Sequence, residues 1–300
     1  MRIPHPIPYQ GSKRNLADRI LRFFPDEPFR LVEPFAGSAA VSIASAFYFK
    51  AEKFWLNDIN EPLIELWREI INRPEHIIKK YHDLWLEQLG NEEAHYYAIR
   101  SKFNETKRPE YLLFLLAKCV KSAIRYNSNG EFNQSPDKRR KGRKPENMRN
   151  DILNVSKLFK GKVKLTTLNY HTVIDQTLPS DFVYLDPPYQ GTGKSGGFRY
   201  FQDVRFEDFI VSLFALHKRK IPFLLSYDGR TGQKVFGAPL PKELNLTKVE
   251  INAGRSSIAT LHNRKVNTFE ALYISESLRE RINMQAILYP PQTKQPSLFD

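Results

Sequence analysis

The tetrapeptide Asp186-Pro187-Pro188-Tyr189 combines groups that could hold and polarise an amino group. The Asp186 carboxylate and the main-chain carbonyl of Pro187 or Pro188 could each accept one N–H of an exocyclic amine. The nitrogen would be drawn toward tetrahedral geometry, so that a lone pair otherwise delocalised into a ring points outward as a nucleophile. The prolines fix φ near about −65° and preorganise the carbonyl, and Tyr189 offers a face for stacking. These residues predict a catalytic site acting on an amino nitrogen.

A second pattern, Glu33-Pro34-Phe35-Ala36-Gly37-Ser38, follows a predicted strand and leads into a predicted helix. Small residues at such a turn let the backbone approach a ligand closely. Asp58 ends the next predicted strand, where an acidic side chain is well placed to bind the hydroxyls of a ribose. This spacing predicts a site for a nucleotide-like cofactor.

A third pattern lies near the N-terminus, where Tyr9-Gln10-Gly11-Ser12-Lys13 precedes a predicted helix from Lys13 to Phe23. A glycine followed by basic residues at the start of a helix could bind an anionic group. The carboxylate of an amino-acid moiety would be one such group.

Alternating short apolar runs and helical patterns predict the α/β sheet that would position these residues. Strands are predicted over Phe29 to Val32, Phe54 to Leu56, Phe182 to Leu185 and Ile221 to Ser226. Further helices are predicted over Ser38 to Phe49, Pro62 to Ile71 and Phe206 to Lys218. Strand-then-helix order predicts parallel strands, whose carboxyl ends gather ligands. An antiparallel hairpin is predicted from Lys248 to Ile251 and Thr268 to Ile274.

The alternation lapses between residues 75 and 156, which predicts a mainly helical insertion. We therefore expect a catalytic domain over 1–74 and 157–285, this insertion, and a flexible tail over 286–300. A net charge of +13 favours a polyanionic partner such as nucleic acid, or an anionic membrane surface, and the charge alone does not distinguish the two. The basic segment 138–149, which also holds glycine and proline, predicts a mobile loop.

The cysteine content and the lengths of the apolar runs exclude several kinds of site and several classes of protein. One cysteine, Cys119, excludes an internal disulfide or a cysteine-rich zinc site, and no metal site is expected. No apolar run is long enough for a membrane span or a secretory signal, which predicts a cytoplasmic protein without a membrane partner.

Together the three motifs resemble the Dam-like D12 class of adenine-specific DNA methyltransferases, over nearly the whole chain. The resemblance implies a Rossmann-like sheet, S-adenosylmethionine as methyl donor, and transfer to N6 of an adenine rotated out of double-stranded DNA. It implies catalytic roles for the tetrapeptide. Cofactor contacts would come from Tyr9, Gly11, Lys13, Glu33, Phe35, Ala36, Gly37, Ser38, Asp58, Asn169 and Asp186. Two departures are Ala39, where the family carries glycine, and Asn169, where it often carries an acid.

The resemblance also makes the insertion a DNA-recognition subdomain. Its segment 125–133 looks like the family's DNA-contacting hairpin, with Arg125, Tyr126, Asn127 and Asn133 as candidate contacts. The basic loop would bind phosphates through Lys138, Arg139, Arg140, Lys141, Arg143 and Lys144.

Transfer to adenine N6 of DNA has four alternatives. An RNA adenine methyltransferase usually carries asparagine at the position that Asp186 holds here. Cytosine C5 transfer needs a cysteine after proline, whereas Cys119 follows lysine. Cytosine N4 transfer uses the same two-acceptor chemistry and stays open at this point, as does a DNA-binding module without catalysis.

A companion restriction endonuclease would fit the family, in a bacterial or phage protein associated with the nucleoid. The tail Gln295 to Asp300 resembles peptides that bind a replication sliding clamp.

Overall fold

A computed structural model describes residues 2–27, 29–188, 204–231, 234–235, 238–255 and 267–288. The predicted catalytic residue Tyr189 and the clamp-like tail peptide lie outside these ranges. No helix within them is long and apolar enough to cross a membrane.

A mostly parallel sheet forms the centre of the protein, as predicted. Its strands are β1 (Arg30–Glu33), β2 (Lys53–Asn57), β3 (Val163–Thr166), β4 (Asp181–Leu185), β5 (Phe223–Thr231), β6 (Lys234–Val235), β7 (Thr247–Arg255) and β8 (Asn267–Ile274). The order is β3-β2-β1-β4-β5-β8-β7, and β6 pairs with β5. The first five strands in this order run parallel, and β8 is antiparallel to both β5 and β7.

Helices cover the faces and ends of this sheet. They are α1 (Ala17–Ile20), α2 (Ala40–Phe47), α3 (Glu61–Asn72), α4 (Pro74–Glu87), α5 (Glu92–Thr106), α6 (Pro109–Lys118), α7 (Pro145–Phe159), α8 (Tyr170–Asp175), α9 (Phe206–Lys218), α10 (Glu276–Arg279) and α11 (Met284–Leu288). Short 3-10 helices occupy Lys13–Asn15, Leu21–Phe23, Val120–Ser122 and Lys242–Leu244. Strand β4 is buried along its whole length, which explains the apolar run from Phe182 to Leu185 within it.

The N-terminal helix predicted from Lys13 to Phe23 is divided into three short pieces, with Leu16 at φ −115° between the first two. Helix α2 begins at Ala40 rather than near Ser38, because Ala39 adopts a left-handed conformation with φ 46°. Left-handed backbone favours glycine over residues with a Cβ atom. Ala39 therefore carries backbone strain at a position where the resemblance implies glycine.

The helices of the predicted insertion pack onto the sheet domain instead of standing apart. Apolar side chains of α4 to α7 belong to the same buried cluster as those of β1, β2 and α3. Helix α7 crosses the predicted boundary at residue 157 and leads directly into β3. The division of the chain into two units remains a prediction.

Candidate active site

A cavity of about 380 Å³ opens at the carboxyl ends of β1, β2 and β4. This is the edge where ligands bind in open α/β sheets. All the predicted cofactor-binding residues line it, namely Tyr9, Gly11, Lys13, Glu33, Phe35, Ala36, Gly37, Ser38, Asp58, Asn169 and Asp186. Pro187 and Pro188 line the same cavity. Three motifs far apart in the sequence therefore meet in one cleft.

Asp58 joins the ends of β1 and β2. Its carboxylate accepts hydrogen bonds from the backbone N–H of Gly37 (2.9 Å) and from the backbone N–H of Asn60 (3.0 Å). Burial raises the pKa of Asp58, while these two bonds oppose the rise. Gly37 has φ 49°, and a Cβ atom there would lie 3.2 Å from the Tyr9 ring. The glycine thus lets the Tyr9 ring close over the turn beside Asp58.

Asn57 is a structural centre of this cleft that the sequence patterns did not single out. Its side-chain nitrogen donates to the carbonyls of Pro34 and Leu168, both at 2.9 Å. Its side-chain oxygen accepts from the Thr166 hydroxyl at 2.7 Å and from the Leu168 N–H at 2.8 Å. One buried amide therefore connects the chain after β1, β2 and β3.

We expect Asn57→Ala to lower the free energy of unfolding by about 2 to 4 kcal/mol, because several buried polar groups would lose their partners. Urea denaturation of the purified variant measures this change. The matched control is Asn72→Ala, an exposed asparagine at the end of α3. Equal free energies of unfolding for Asn57→Ala and Asn72→Ala would contradict the structural role assigned to Asn57.

The Asp186 carboxylate is held by a lysine from the N-terminal segment. Lys13 Nζ lies 2.8 Å from Asp186 Oδ1 and 3.4 Å from Glu270 Oε1. The lysine side chain is only 8% exposed, and the carboxylates of Asp186 and Glu270 compensate its charge inside the protein. Burial raises the pKa of Asp186 to about 6, an effect that the Lys13 ammonium opposes and the Glu270 carboxylate reinforces. Glu270 had no distinguishing signal in the sequence.

Glu33 lies at the end of β1 and is almost fully buried. Its carboxyl Oε1 accepts a hydrogen bond from the backbone N–H of Ser42 at 2.8 Å, which ties β1 to α2. Burial raises the pKa of Glu33 to about 8, and the nearby Asp186 carboxylate adds to the rise. Glu33 is therefore largely protonated at neutral pH.

Aromatic side chains form another wall of the cleft. The rings of Phe35 and Tyr170 lie 5.0 Å apart between centroids, and Phe209 packs against both. The side-chain oxygen of Asn169 caps α8 by accepting from the His171 N–H at 3.0 Å. The amide nitrogen of Asn169 remains the group that can face a ligand, so this position presents a donor where an acid would present an acceptor.

The predicted DNA hairpin has a β-bridge between Tyr126 and Phe132 at its base. Tyr126 is only 5% exposed, and its hydroxyl donates to the side-chain oxygen of Asn60 at 3.4 Å. The Asn127 side-chain oxygen accepts from the backbone of Asn129 and Glu131, which fixes the turn. The predicted base contacts at Tyr126 and Asn127 have no support in this structure, because one is buried and the other is used by the turn.

The other two hairpin candidates are placed differently. Asn133 is exposed, and Arg125 is partly buried. The tip of the hairpin exposes Ser128 and Asn129, which the sequence patterns did not distinguish as contacts. The exposed surface of the hairpin therefore includes its tip and the side that carries Asn133.

The segment predicted as a mobile loop is a loop only over residues 138–144, because residues 145–149 belong to α7, and the backbone of that loop is anchored. The carbonyls of Arg140, Lys141 and Arg143 accept hydrogen bonds from Lys118 Nζ (2.9 Å), Gln88 Nε2 (2.9 Å) and the Tyr81 hydroxyl (2.6 Å). These donors come from α4 and α6 or from the residue that follows α4. They hold the loop backbone against the helices.

The basic side chains of this loop fall into two groups. Lys138, Arg139, Arg140, Lys141 and Lys144 are exposed. Arg143 is only 20% exposed and donates to the His5 carbonyl and the Asp151 carboxylate. Arg143 therefore fastens the N-terminal segment to α7, and its predicted phosphate contact has no support here.

The donor set of the cleft fits the methyl donor implied by the sequence. Asp58 offers a carboxylate for a ribose, Phe35 and Tyr170 offer aromatic faces for a purine, and Gly37 permits a close approach of backbone. Within the described ranges, no group of three His, Cys, Asp or Glu residues could hold a metal ion.

Comparison with known families gives one match across most of the chain. Residues 9–287 match the model of the D12 class of N6 adenine-specific DNA methyltransferases. The matched range includes the three motifs, the insertion and Glu270.

Three relatives illustrate the similarity. The modification methylase StsI of Streptococcus sanguinis is 29% identical over 94% of this chain and 44% of its own length. The type II methyltransferase M.MjaIII of Methanocaldococcus jannaschii is 30% identical over 67% of this chain and 74% of its own. The retron Ec67 DNA adenine methylase of Escherichia coli is 30% identical over 62% of this chain and 64% of its own. The chain thus spans less than half of the streptococcal relative.

Proposed function

The chain belongs to the D12 class of N6 adenine-specific DNA methyltransferases, and from this premise we propose that it methylates N6 of adenine at specific sites in double-stranded DNA. The observation that carries the proposal is the meeting of Asp186, Lys13 and Asp58 in one cleft at the carboxyl ends of the strands. S-adenosylmethionine would supply an electrophilic methyl group on sulfur, and the S–C bond would break as the N6–C bond forms.

In this proposal, Asp186 and a proline carbonyl act on the amine. Lys13 engages Asp186 Oδ1, which leaves Oδ2 to accept one N6–H. The carbonyl of Pro187 or Pro188 accepts the second N6–H. Orientation of the amine and exclusion of water supply most of the acceleration. The proton that N6 loses after transfer passes through Asp186 to solvent, and Tyr189 offers a stacking face for the base.

Cofactor binding is proposed for the opposite wall of the cleft. Asp58 accepts hydrogen bonds from the ribose hydroxyls, while Phe35 and Tyr170 contact the adenine ring. The amide nitrogen of Asn169 donates to a ring nitrogen of that adenine. Tyr9 and Gly11 close the cleft from the N-terminal side.

DNA binding is proposed for the hairpin tip, Asn133 and the exposed part of the basic loop. The pairs that Lys138 and Lys141 make with Glu93 and Glu92 are exposed and weak, so these cations can exchange a carboxylate for a phosphate. The target adenine would be rotated out of the duplex to reach Asp186, as chemistry on a base requires.

A triple variant, Lys138→Gln, Arg139→Gln and Lys141→Gln, should weaken DNA binding and reduce its salt dependence. Each lost phosphate contact lowers the slope of log K against log salt by about 0.9, so we expect a reduction of about 2 to 3. Fluorescence anisotropy at several salt concentrations measures the slope.

The control for this variant is Lys162→Gln combined with Lys220→Gln. Both lysines are exposed and precede β3 and β5, at the end of the sheet opposite the cleft. An unchanged slope in the triple variant would show that the loop does not meet phosphate.

Wider partners follow from the names of the relatives. Because several are modification methylases or type II methyltransferases, we propose a companion restriction endonuclease and action on DNA in the nucleoid of a bacterial or phage-infected cell. Sequencing that detects modified bases, applied to DNA from cells expressing the chain, would identify the recognised sequence. Unmodified adenines throughout would refute the proposed activity.

The sliding clamp is proposed as a further partner through Gln295 to Asp300. The sequence pattern of this peptide is its sole support. A pull-down should show clamp binding by the full chain and its loss when the last six residues are deleted. Equal binding by both would refute the proposal.

A further inference from the structure

Glu270 occupies a specialised position in the sheet. It lies in β8, between β5 and β7, and its carboxylate is only 12% exposed. The register between β5 and β8 shifts at this point, because Tyr227 pairs with Ala271 while Arg230 pairs with Phe269. One extra residue of β5 is therefore accommodated opposite Glu270. Such bulges re-aim side chains and are frequent beside active sites.

Gly229 makes the close approach at this bulge feasible. A Cβ atom at Gly229 would lie 2.9 Å from the Phe269 carbonyl oxygen, a distance that would force the two strands apart. The same Cβ atom would lie 3.7 Å from Glu270 Oε2. A glycine in the strand thus keeps β5 against the backbone that carries Glu270.

Glu270 is connected to the Asp186 carboxylate through Lys13. Its Oε1 accepts a hydrogen bond from the Ser226 hydroxyl and lies 3.4 Å from Lys13 Nζ. The same ammonium lies 2.8 Å from Asp186 Oδ1. Lys13 therefore bridges a carboxylate from β8 and the carboxylate that follows β4.

We propose that Glu270 is a positioning residue for methyl transfer: it shares Lys13 with Asp186 and thereby sets how strongly Asp186 accepts the target amine. Ser226 fixes the Glu270 carboxylate, and the bulge fixes the backbone beneath it. Lys13 is then held from both sides, so that it engages Oδ1 of Asp186 and leaves Oδ2 to the amine. This inference rests on the proposed function, since it assigns a role within that reaction.

The charges around Asp186 affect its ionisation in opposite directions. Lys13 favours the ionised carboxylate, whereas Glu270 disfavours it as a like charge. Glu33 faces Asp186 from β1, but its own pKa is raised to about 8 by burial, so it is largely neutral near pH 7. Lys13 and Glu270 are therefore the two charges that set the balance at neutral pH.

Two substitutions should move the pH dependence of the chemical step in opposite directions. Glu270→Gln keeps the size and an oxygen acceptor for Ser226 but removes the like charge, so the acid limb should move to lower pH by about one unit. Lys13→Gln removes the opposite charge, so the acid limb should move to higher pH. Single-turnover methyl transfer between pH 5 and 8 measures both shifts.

The control is Glu243→Gln, an exposed carboxylate in the 3-10 helix before β7, which should leave the acid limb unchanged. A purely structural role for Glu270 would lower the amount of folded enzyme without moving the limb. An acid limb in Glu270→Gln identical to that of the wild type would overturn the inference.

A second readout does not need the reaction. The carboxyl carbon resonance of Asp186, assigned with Asp186→Asn and titrated by NMR, should show the same downward shift of the Asp186 pKa in Glu270→Gln. An unchanged titration would overturn the inference. A wild-type enzyme that methylates no adenine would instead refute the proposed function, whatever the titration shows.

Discussion

Asp186→Ala should lower the rate of methyl transfer by about 10²- to 10³-fold or more, the range found when one preorganised polar group is removed from an active site. The amine would lose the acceptor that exposes its lone pair. Cofactor affinity should stay within a few-fold of the wild type, because Asp58 and the aromatic wall of the cleft remain in place. Single-turnover transfer of a labelled methyl group and calorimetric titration of cofactor measure the two effects separately.

Asp175→Ala is the matched control, since Asp175 is an exposed aspartate at the end of α8. Full activity in Asp186→Ala would contradict the proposed chemistry. A parallel loss of cofactor binding and transfer would show that Asp186 serves the cofactor instead of the amine.

The pH dependence of the wild type offers a check without substitution. The pKa of Asp186 is raised to about 6 by burial, and the protonated form is a weaker acceptor for N6–H. The rate of the chemical step should therefore be nearly constant above about pH 7 and fall about tenfold per unit below pH 6.

Asp58→Ala should weaken cofactor binding by about 10- to 100-fold, because hydrogen bonds to a charged group contribute about 1.5 to 3 kcal/mol. The same change leaves the N–H groups of Gly37 and Asn60 without their acceptor, so the turn after β1 should loosen as well. Isothermal titration with S-adenosylhomocysteine, which has the same ribose, measures the affinity.

Asp58→Asn is the informative companion to this variant, since it keeps one oxygen acceptor and the side-chain size. Its affinity should lie between those of the wild type and Asp58→Ala. An affinity of Asp58→Ala for S-adenosylhomocysteine equal to that of the wild type would show that Asp58 does not bind the ribose.

The central strands could be predicted because they are buried on both faces. Phe182 to Leu185 is an unbroken apolar run, and it directly precedes the tetrapeptide at Asp186. By contrast, β3 escaped prediction because it is a short, half-exposed strand that lies at the edge of the sheet and includes a lysine, Lys164.

The supporting residues of the site could not be predicted, because their partners are distant in the sequence. Asn57 contacts residues 109 and 111 positions away, and Ser226 reaches Glu270 across 44 positions. Nothing in the local pattern around Asn57 or Glu270 reveals these contacts. They depend on the order of the strands and on a bulge in β5.

The basic loop shows a further limit of local patterns. Its composition predicts a mobile segment, since glycine, proline and repeated charges disfavour regular structure. Its carbonyls are nevertheless held by Tyr81, Gln88 and Lys118, which lie on other elements or beside them. Anchoring of this kind arises from tertiary packing.

Identification of the methylated base tests the proposed activity most directly. Purified protein would be incubated with unmethylated double-stranded DNA and S-adenosylmethionine carrying a deuterated methyl group, and the digested nucleosides would be analysed by mass spectrometry. We expect the labelled methyl group in N6-methyl-2′-deoxyadenosine and none in the cytosine nucleosides. Label in N4-methylcytosine, or in no nucleoside across DNA of varied sequence, would contradict the proposed activity.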